Sequence, residues 1–221
     1  MNLTAKERER FDFAVIANWI PKGERVLDLG CGDGRLLRYL RETKKVSGYG
    51  VEIDHESVLG CIRNNVDVIQ IDIEGGLSGF EDHSFNHVII SQALQAMRAT
   101  ERILGEMLRV ADEAVISFPN FAYRGNREAI AAGCMPVSED LPYDWYDTPN
   151  VRFFTIADFE ALCQKLGIDI KAATVTIQGM GNVGSVTAKL LDKEGAKIVA
   201  VSDVSGGIYN ENGLNIPAIL E

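Results

Sequence analysis

The stretch that most constrains the fold is a glycine-rich turn near the start of the chain. Residues 26–34 read VLDLGCGDG, and a run with helical spacing follows directly. Glycine at the alternate positions Gly30, Gly32 and Gly34 removes side chains from the turn, so a ligand can approach the backbone closely. Because ligands of open α/β sheets bind beyond the carboxyl ends of the strands, this turn predicts a strand–turn–helix unit with a small-molecule site.

Apolar runs alternate with segments of helical periodicity along the first two thirds of the chain. We predict strands at residues 25–29, 46–53, 66–71, 86–91 and 114–118, and helices at residues 4–20, 35–43, 56–64, 100–110 and 155–166. This alternation is typical of a parallel sheet with helices on both faces. The predicted fold class is therefore α/β, with a doubly wound, mostly parallel, Rossmann-like sheet.

The segment 136–150 has a different composition from the rest. It holds three prolines and the aromatic residues Tyr143, Trp145 and Tyr146. Such a segment is predicted to be a loop, and exposed aromatic side chains on a loop can form a lid or a partner surface. The alternative is that these side chains only cover the edge of the sheet.

Acidic residues accompany the ends of three successive predicted strands. Asp28 precedes the glycine turn, Glu52 lies at the end of the second strand, and Asp72 follows the third strand. We expect Asp28 to meet a ligand ammonium group, Glu52 to accept hydrogen bonds from ribose hydroxyls, and Asp72 to reach an adenine amino group. The alternative is that Asp72 caps a turn and Glu52 is solvated.

Together these positions predict a site for S-adenosylmethionine (SAM). Motif I of the class I SAM methyltransferases is similar to the turn at residues 28–34. The predicted cofactor-binding residues are Asp28, Gly30, Cys31, Gly32, Gly34, Glu52, Ile53, Asp72, Ile73 and Ser91.

Seven stretches between positions 1 and 170 match the text of one known family. They are VLDLGCGDGRLL (26–37), GYGVEID (48–54), VIQIDIEGGLSGF (68–80), HVIISQALQAMR (87–98), EMLRVADEAVISFPNFAYRGNR (106–127), MPVSEDLPYDWYDTPNVRF (135–153) and TIADFEALCQKLGI (155–168). On these stretches, residues 1–170 resemble the MetW family of methionine biosynthesis proteins. The resemblance implies a class I methyltransferase fold, SAM as cofactor, and a role beside homoserine O-acyltransferase.

No catalytic residue is predicted. Methyl transfer to a hydroxyl or an amide would require a general base. The polar residues at the end of the fourth strand, Ser91, Gln92 and Gln95, are not bases near neutral pH. The family resemblance implies a partner or activator rather than an established methyltransferase. An accessory protein and an active methyltransferase on a small acceptor therefore remain two open hypotheses.

A second nucleotide-binding pattern lies near the end of the chain. Gly179, Gly181 and Gly184 follow a predicted strand at residues 173–178, and Asp203 ends the next predicted strand. This arrangement is the dinucleotide fingerprint, with the acidic residue on the ribose. This pattern leads to a third hypothesis, in which the chain is a nicotinamide-binding module. The acidic residue predicts that such a module would bind NAD rather than NADP.

The text around that pattern resembles the nucleotide-binding domain of glutamate dehydrogenase. The matching stretches are ATVTIQGMGNVGS (173–185) and AKIVAVSDVSGGIYNENGLNIPAILE (196–221). Only the first βαβ unit of that domain is present, and such a fragment buries too little apolar surface to hold a dinucleotide alone. We therefore expect a chimera in which a methyltransferase-like domain (1–170) is joined to a partial dinucleotide-binding fragment (171–221). Residues 168–177 could add a sixth strand to the first sheet.

Charge and composition argue against several other classes of protein. A net charge of −10 disfavours nucleic acid as a partner. No apolar run reaches the length of a membrane span, and the charged N-terminal segment 1–10 does not fit a signal peptide, so we expect a cytoplasmic protein. The four cysteines and three histidines show no metal-ligand spacing, which predicts free thiols and no metal site.

Overall fold

The computed structural model describes residues 5–138, 141–168, 174–178, 188, 197–203, 206–210 and 212–219. These residues fall into two compact units. One unit comprises residues 9–118 and 150–152, and the other comprises the described residues of 1–8, 119–149 and 153–221.

The first unit is built on a parallel sheet. Its strands are β1 (Arg25–Leu29), β2 (Ser47–Glu52), β3 (Val68–Gln70), β4 (Phe85–Ser91) and β5 (Ala111–Ser117). They lie in the order β3-β2-β1-β4-β5, and every pairing is parallel. Its helices are α2 (Arg35–Lys44), α3 (His55–Arg63) and α4 (Thr100–Val110), together with the part of α1 (Ala5–Trp19) from residue 9 onward. The predicted α/β fold class is therefore confirmed.

Strand β1 lies at the centre of the sheet and buries apolar side chains on both of its faces. Val26, Leu27 and Leu29 are fully buried, as expected for a strand that is covered on both sides. Helix α2 begins directly after the glycine turn and buries Leu36, Leu37 and Leu40. Burial of each such side chain stabilises the fold by roughly 1.5–3 kcal/mol, so this packing holds the turn in place between strand and helix.

The second unit contains a smaller sheet. Its elements are α5 (Arg124–Ala131), α6 (Ile156–Lys165), β6 (Thr174–Gln178), β7 (Lys197–Asp203), β8 (Gly206–Tyr209) and α7 (Ile216–Ile219). Strand β7 pairs in parallel with β6 and antiparallel with β8. Helix α6 begins at a capping box, in which Thr155 and Asp158 bond reciprocally. A small apolar cluster is formed by Ala188, Ile198, Val201 and Ile216.

The prediction of a sixth strand in the first sheet is wrong. Strand β6 pairs with β7 in the separate three-stranded sheet instead. A parallel pair requires a crossover connection, and residues 179–196 provide the length for one. The sequence analysis also missed α5 and β8, the latter because Gly206 and Gly207 are weak strand formers.

Other boundaries differ by a few residues at most. Strand β5 begins at Ala111, earlier than predicted, because the polar Asp112 and Glu113 of its first half are exposed and interrupt the apolar pattern. The described residues of 136–150 form turns without a helix or strand, as predicted. In the described part of the chain, no helix has the length and apolarity needed to cross a membrane.

Candidate functional site

The glycine turn after β1 is held by backbone hydrogen bonds to β2. The N–H groups of Gly30 and Cys31 donate to the carbonyl oxygen of Val51, at 2.8 and 3.1 Å. Gly32 and Gly34 both have left-handed backbones, with φ of 54° and 76°, where a Cβ is unfavourable. A Cβ at Gly34 would also lie 3.0 Å from Cys61 Sγ, whereas one at Gly32 would point into open space. The turn thus leaves an open side at Gly32.

Glu52 is tied to this turn through its carboxylate. Its Oε2 atom accepts a hydrogen bond from the backbone N–H of Gly32 at 2.8 Å. Its Oε1 atom accepts from the N–H groups of Ile53 and Asp54, at 2.8 and 2.9 Å. A carboxylate offers about four lone-pair positions, so these three bonds leave Oε2 able to accept one more.

Asp28 is a buried acid at the centre of the sheet. It lies opposite Gly50 of β2 and Ile89 of β4 in the strand register, and its exposed fraction is only 2%. Burial, together with the negative charge of Glu52, raises the pKa of the Asp28 carboxyl to about 7. A cation placed beside Asp28 would therefore be stabilised by the ionised carboxylate and would lower this pKa.

Asp72 follows β3 at the same edge of the sheet and caps a short turn. Its Oδ1 atom accepts a hydrogen bond from the N–H of Glu74 at 2.8 Å, at the start of the 3-10 turn Ile73–Gly75. The side chain is exposed, and Ile73 is half-buried. The capping role foreseen as the alternative is thus present, and Oδ2 is the oxygen that remains for another donor.

Ile53 is an exposed apolar side chain next to Glu52. Its exposed fraction is 61%, although its backbone N–H is fixed by the Glu52 carboxylate. The exposed Ile53 side chain is available for apolar contact with a ligand.

Ser91 stands at the end of β4, opposite Ser117 at the end of β5. Their Oγ atoms lie 3.1 Å apart. The next residue, Gln92, has a left-handed backbone with φ of 55°, and its N–H donates to Ser117 Oγ at 3.2 Å. Non-glycine residues in this conformation are strained and cluster at functional sites.

Gln95 connects this edge of the sheet to a later part of the chain. Its side-chain amide donates to the carbonyl of Gln92 at 2.7 Å, and its own backbone carbonyl accepts from Val151 and Arg152 at 3.0 and 2.9 Å. The Oε1 atom of Gln95 is buried and has no hydrogen-bond partner among the described residues. The segment after β4 is therefore clamped on both sides.

Cys31 packs beneath the turn against Cys61 of α3. Their sulfur atoms lie 3.7 Å apart, and Cys61 Sγ donates to the carbonyl of Gly32 at 3.1 Å. Burial raises the pKa of both thiols, so they remain protonated. Both are free thiols, as predicted, and their role is to pack the turn against α3.

The structure therefore brings some of the predicted site residues into contact and leaves others bonded elsewhere. Glu52 contacts Gly32 directly, and its charge acts on Asp28. The hydrogen bonds of Asp72 and Ser91 run to Glu74 and Ser117 instead.

Sequence reasoning did not identify Cys61 as a packing partner of the turn, and it named Gln92 only as a polar residue after the fourth strand. The available signal for the close packing at Cys61 was Gly34, where a Cβ would lie 3.0 Å from Cys61 Sγ, since glycine lets neighbouring groups approach the backbone closely. The strain at Gln92 had no sequence signal, because the residue type is not one that favours a left-handed backbone.

The second nucleotide-binding pattern is described only in part. Gly179, Gly181 and Gly184 lie outside the described residues. The strands on either side of them, β6 and β7, are present and parallel, and Asp203 is the last residue of β7. Within the described ranges, no group of three or more His, Cys, Asp and Glu side chains converges as metal ligands would.

Comparison with known proteins supports the family resemblance of the larger, N-terminal part of the chain. A family model described as "Methionine biosynthesis protein MetW" matches residues 10–196. The bifunctional methionine biosynthesis protein MetXA/MetW of Rhodopirellula baltica is 42% identical over 169 residues, which are 72% of this chain and 27% of that protein. The chain therefore spans about a quarter of the length of this relative.

A shorter match connects the chain with glutamate dehydrogenases. The cryptic catabolic NAD-specific glutamate dehydrogenase GudB of Bacillus subtilis is 50% identical over 75 residues, which are 34% of this chain and 17% of the dehydrogenase. The match is therefore confined to a small part of that enzyme.

Solved structures share the fold. A SAM-dependent methyltransferase from Thermotoga maritima, described as a possible histamine N-methyltransferase, has a TM-score of 0.52 at 21% identity and covers 73% of this chain and 76% of its own. Another, from Thiobacillus denitrificans in complex with S-adenosyl-L-homocysteine, has a TM-score of 0.50 at 17% identity, covering 71% and 63%. At this identity the likeness shows the class I methyltransferase fold alone.

Proposed function

Because the chain belongs to the MetW family of methionine biosynthesis proteins, we propose that it binds SAM at the glycine turn and supports homoserine O-acyltransferase. The observation that carries the proposal is the hydrogen bond between Gly32 N–H and Glu52 Oε2. This bond holds the Glu52 carboxylate, the group proposed to bind the ribose, beside a turn that carries no side chain at Gly32. The name of the Rhodopirellula relative, which joins MetXA and MetW, supports the choice of partner.

The residues of the turn fit the chemical groups of SAM. The open side at Gly32 lets an amino-acid moiety approach the backbone. Glu52 keeps a lone pair on Oε2 for a ribose hydroxyl, and Ile53 presents an exposed apolar surface to the adenine ring. Asp72 keeps Oδ2 for the adenine amino group.

The Asp28 carboxyl is suited to bind the positively charged ammonium group of SAM. Its carboxyl has a pKa of about 7 because burial and the charge of Glu52 both disfavour the ionised form. When bound, SAM supplies a positively charged ammonium and an electrophilic methyl group on its sulfonium. Asp28 would ionise to hold that ammonium, and binding would release a proton near neutral pH.

A second candidate function is methyl transfer to a small acceptor. The fold shared with SAM-dependent methyltransferases favours it. The residues at the ends of β4 and β5 argue against methyl transfer. Residues 91–97 and 117–122 contain no titratable side chain. A hydroxyl acceptor at this edge would find Ser91 and Gln92 as hydrogen-bonding groups but no general base among them.

Calorimetric titration with SAM tests the site. We expect Glu52→Gln to weaken binding by about 10- to 100-fold, because it removes a charge-assisted hydrogen bond worth roughly 1.5–3 kcal/mol. The matched control is Glu81→Gln, an exposed acid before β4. Equal affinity of Glu52→Gln and the parent would refute the proposed site.

The accessory role needs a separate experiment. We expect acyl transfer by the homoserine O-acyltransferase of the same organism to rise when this chain is added. The second candidate predicts instead that label moves from the methyl group of SAM to a metabolite. Label transfer without any effect on the acyltransferase would favour the enzyme over the accessory protein.

A further inference from the structure

The strongest feature outside the ligand site is the loop 136–150, called here the aromatic loop. We infer that its aromatic side chains are the docking surface for the acyltransferase partner, an inference that rests on the proposed function. Trp145 and Tyr146 are 72% and 71% exposed, and Tyr143 is also exposed. Tryptophan and tyrosine are the residues that most often dominate the free energy of a protein interface.

The aromatic loop is held by its own contacts. Ser138 and Leu141 exchange backbone hydrogen bonds, and the Leu141 side chain is buried. The carbonyl of Asp144 accepts from the N–H groups of Asp147 and Thr148, which closes a turn around the aromatic pair. Little conformational entropy is then lost when a partner covers the loop.

The two most exposed rings are fixed relative to each other. Trp145 and Tyr146 form an edge-to-face pair with centroids 5.8 Å apart, and the Tyr146 hydroxyl donates to Asp144 at 3.1 Å. Their apolar faces are exposed to solvent although large aromatic residues are normally buried. Such a preformed aromatic tip suits insertion into an apolar pocket of another protein.

Charge selects the kind of partner. Asp144 and Asp147 flank the two rings in the chain, and both are exposed. This acidic border repels nucleic acid and anionic lipid surfaces, and it disfavours a second copy of a chain whose net charge is −10. The surface fits a protein that presents an apolar pocket bordered by lysine or arginine.

The residues that follow the aromatic loop in the chain contact the segment after β4. Val151 and Arg152, just beyond the loop, donate to the carbonyl of Gln95, which in turn holds Gln92. A partner that displaces Val151 and Arg152 would therefore act on Gln92, the residue that follows Ser91. Any such effect must be reciprocal, because coupling free energies are the same in both directions.

The experiment measures binding of the full chain to the homoserine O-acyltransferase of the same organism, and SAM affinity in parallel. We expect the double variant Trp145→Ala/Tyr146→Ala to weaken the protein complex by about 30-fold or more, the size of a typical hot-spot loss. SAM affinity of the double variant without the partner should equal that of the parent. Ile62→Ala, which truncates another exposed apolar side chain on α3, is the control and should bind normally.

A variant that removes one charge provides an independent test of the docking surface. Asp147→Asn should reduce the salt dependence of the complex, because it removes one charge from the border of the surface. Unfolding midpoints of all variants should match the parent, since the altered side chains are exposed.

Three outcomes would overturn the inference. Normal binding of the double variant refutes the docking surface and leaves the proposed function intact. Retained binding with lost SAM affinity means that the aromatic loop serves the ligand site as a lid. Absence of any complex with the parent chain refutes the proposed partnership itself, and this inference with it.

Discussion

The backbone N–H of Gly32 donates to Glu52 Oε2 across 2.8 Å, joining the turn after β1 to the end of β2. The two groups are distant in the chain. The bond orients the carboxylate and fixes the left-handed turn at the same time. A ligand that binds both groups therefore finds them already in place, which lowers the entropy cost of binding.

Removal of the Glu52 carboxylate should destabilise the protein itself. Glu52→Ala leaves the N–H groups of Gly32, Ile53 and Asp54 without their acceptor. We expect the free energy of unfolding to fall by about 1–3 kcal/mol, the cost typical of unpaired donors. Urea denaturation measures it, with the exposed Glu81→Ala as control. No difference between the two variants would mean that water replaces the carboxylate at little cost.

Asp28→Asn should show a pH-dependent gain in stability. The pKa of Asp28 is raised in the folded state from 3.8 to about 7, so the parent loses stability as pH rises between those values. The loss is at most about 1.4 kcal/mol per pH unit, and asparagine avoids it because it does not titrate. We therefore expect the advantage of Asp28→Asn to grow from about pH 4 to about pH 7 and then to level off.

Thermal or urea unfolding at several pH values measures this advantage, and Asp67→Asn, at an exposed acid before β3, is the control. A constant difference between Asp28→Asn and the parent across the range would show that the carboxyl is ionised throughout.

Gly32→Ala and Gly34→Ala should separate ligand binding from stability. Both force a side chain into a left-handed backbone, at about 1–2 kcal/mol. The alanine methyl at Gly34 also meets Cys61 Sγ at 3.0 Å and Val66 Cβ at 3.1 Å, whereas that at Gly32 meets nothing within 4 Å. We expect Gly34→Ala to be the less stable variant in urea, and Gly32→Ala to lose SAM affinity in calorimetry. The reverse order of stability would contradict the packing around Gly34.

Deletion of residues 171–221 tests the proposal that the end of the chain is a graft. All five strands of the first sheet lie between Arg25 and Ser117, so we expect the shortened chain to bind SAM with the parent's affinity. Some stability should be lost, because Ile156 of α6 packs against the cluster of Ile198 and Ile216. Calorimetry measures the SAM affinity of the shortened chain, and urea denaturation measures its free energy of unfolding. A shortened chain that is insoluble or does not bind would show that the end of the chain is integral.

Periodicity predicted the first unit well because its strands and helices alternate cleanly. Strand β1 and helix α4 have the bounds predicted from apolar spacing alone. The short helix α5 was missed because its residues 124–131, RGNREAIA, carry only one buried side chain, Asn126. Where a helix buries almost nothing, its sequence shows no apolar stripe.

The amino-acid sequence by itself determined the order of elements, the glycines that permit a left-handed turn, and the acids at the strand ends. These are local properties, set by side-chain periodicity and backbone sterics. Tertiary structure alone decided that Glu52 bonds to Gly32, that burial and the charge of Glu52 raise the pKa of the Asp28 carboxyl to about 7, and that β6 pairs with β7 rather than with the first sheet. Hydrogen-bond partners and desolvation depend on groups that are distant in the chain, and only packing brings those groups together.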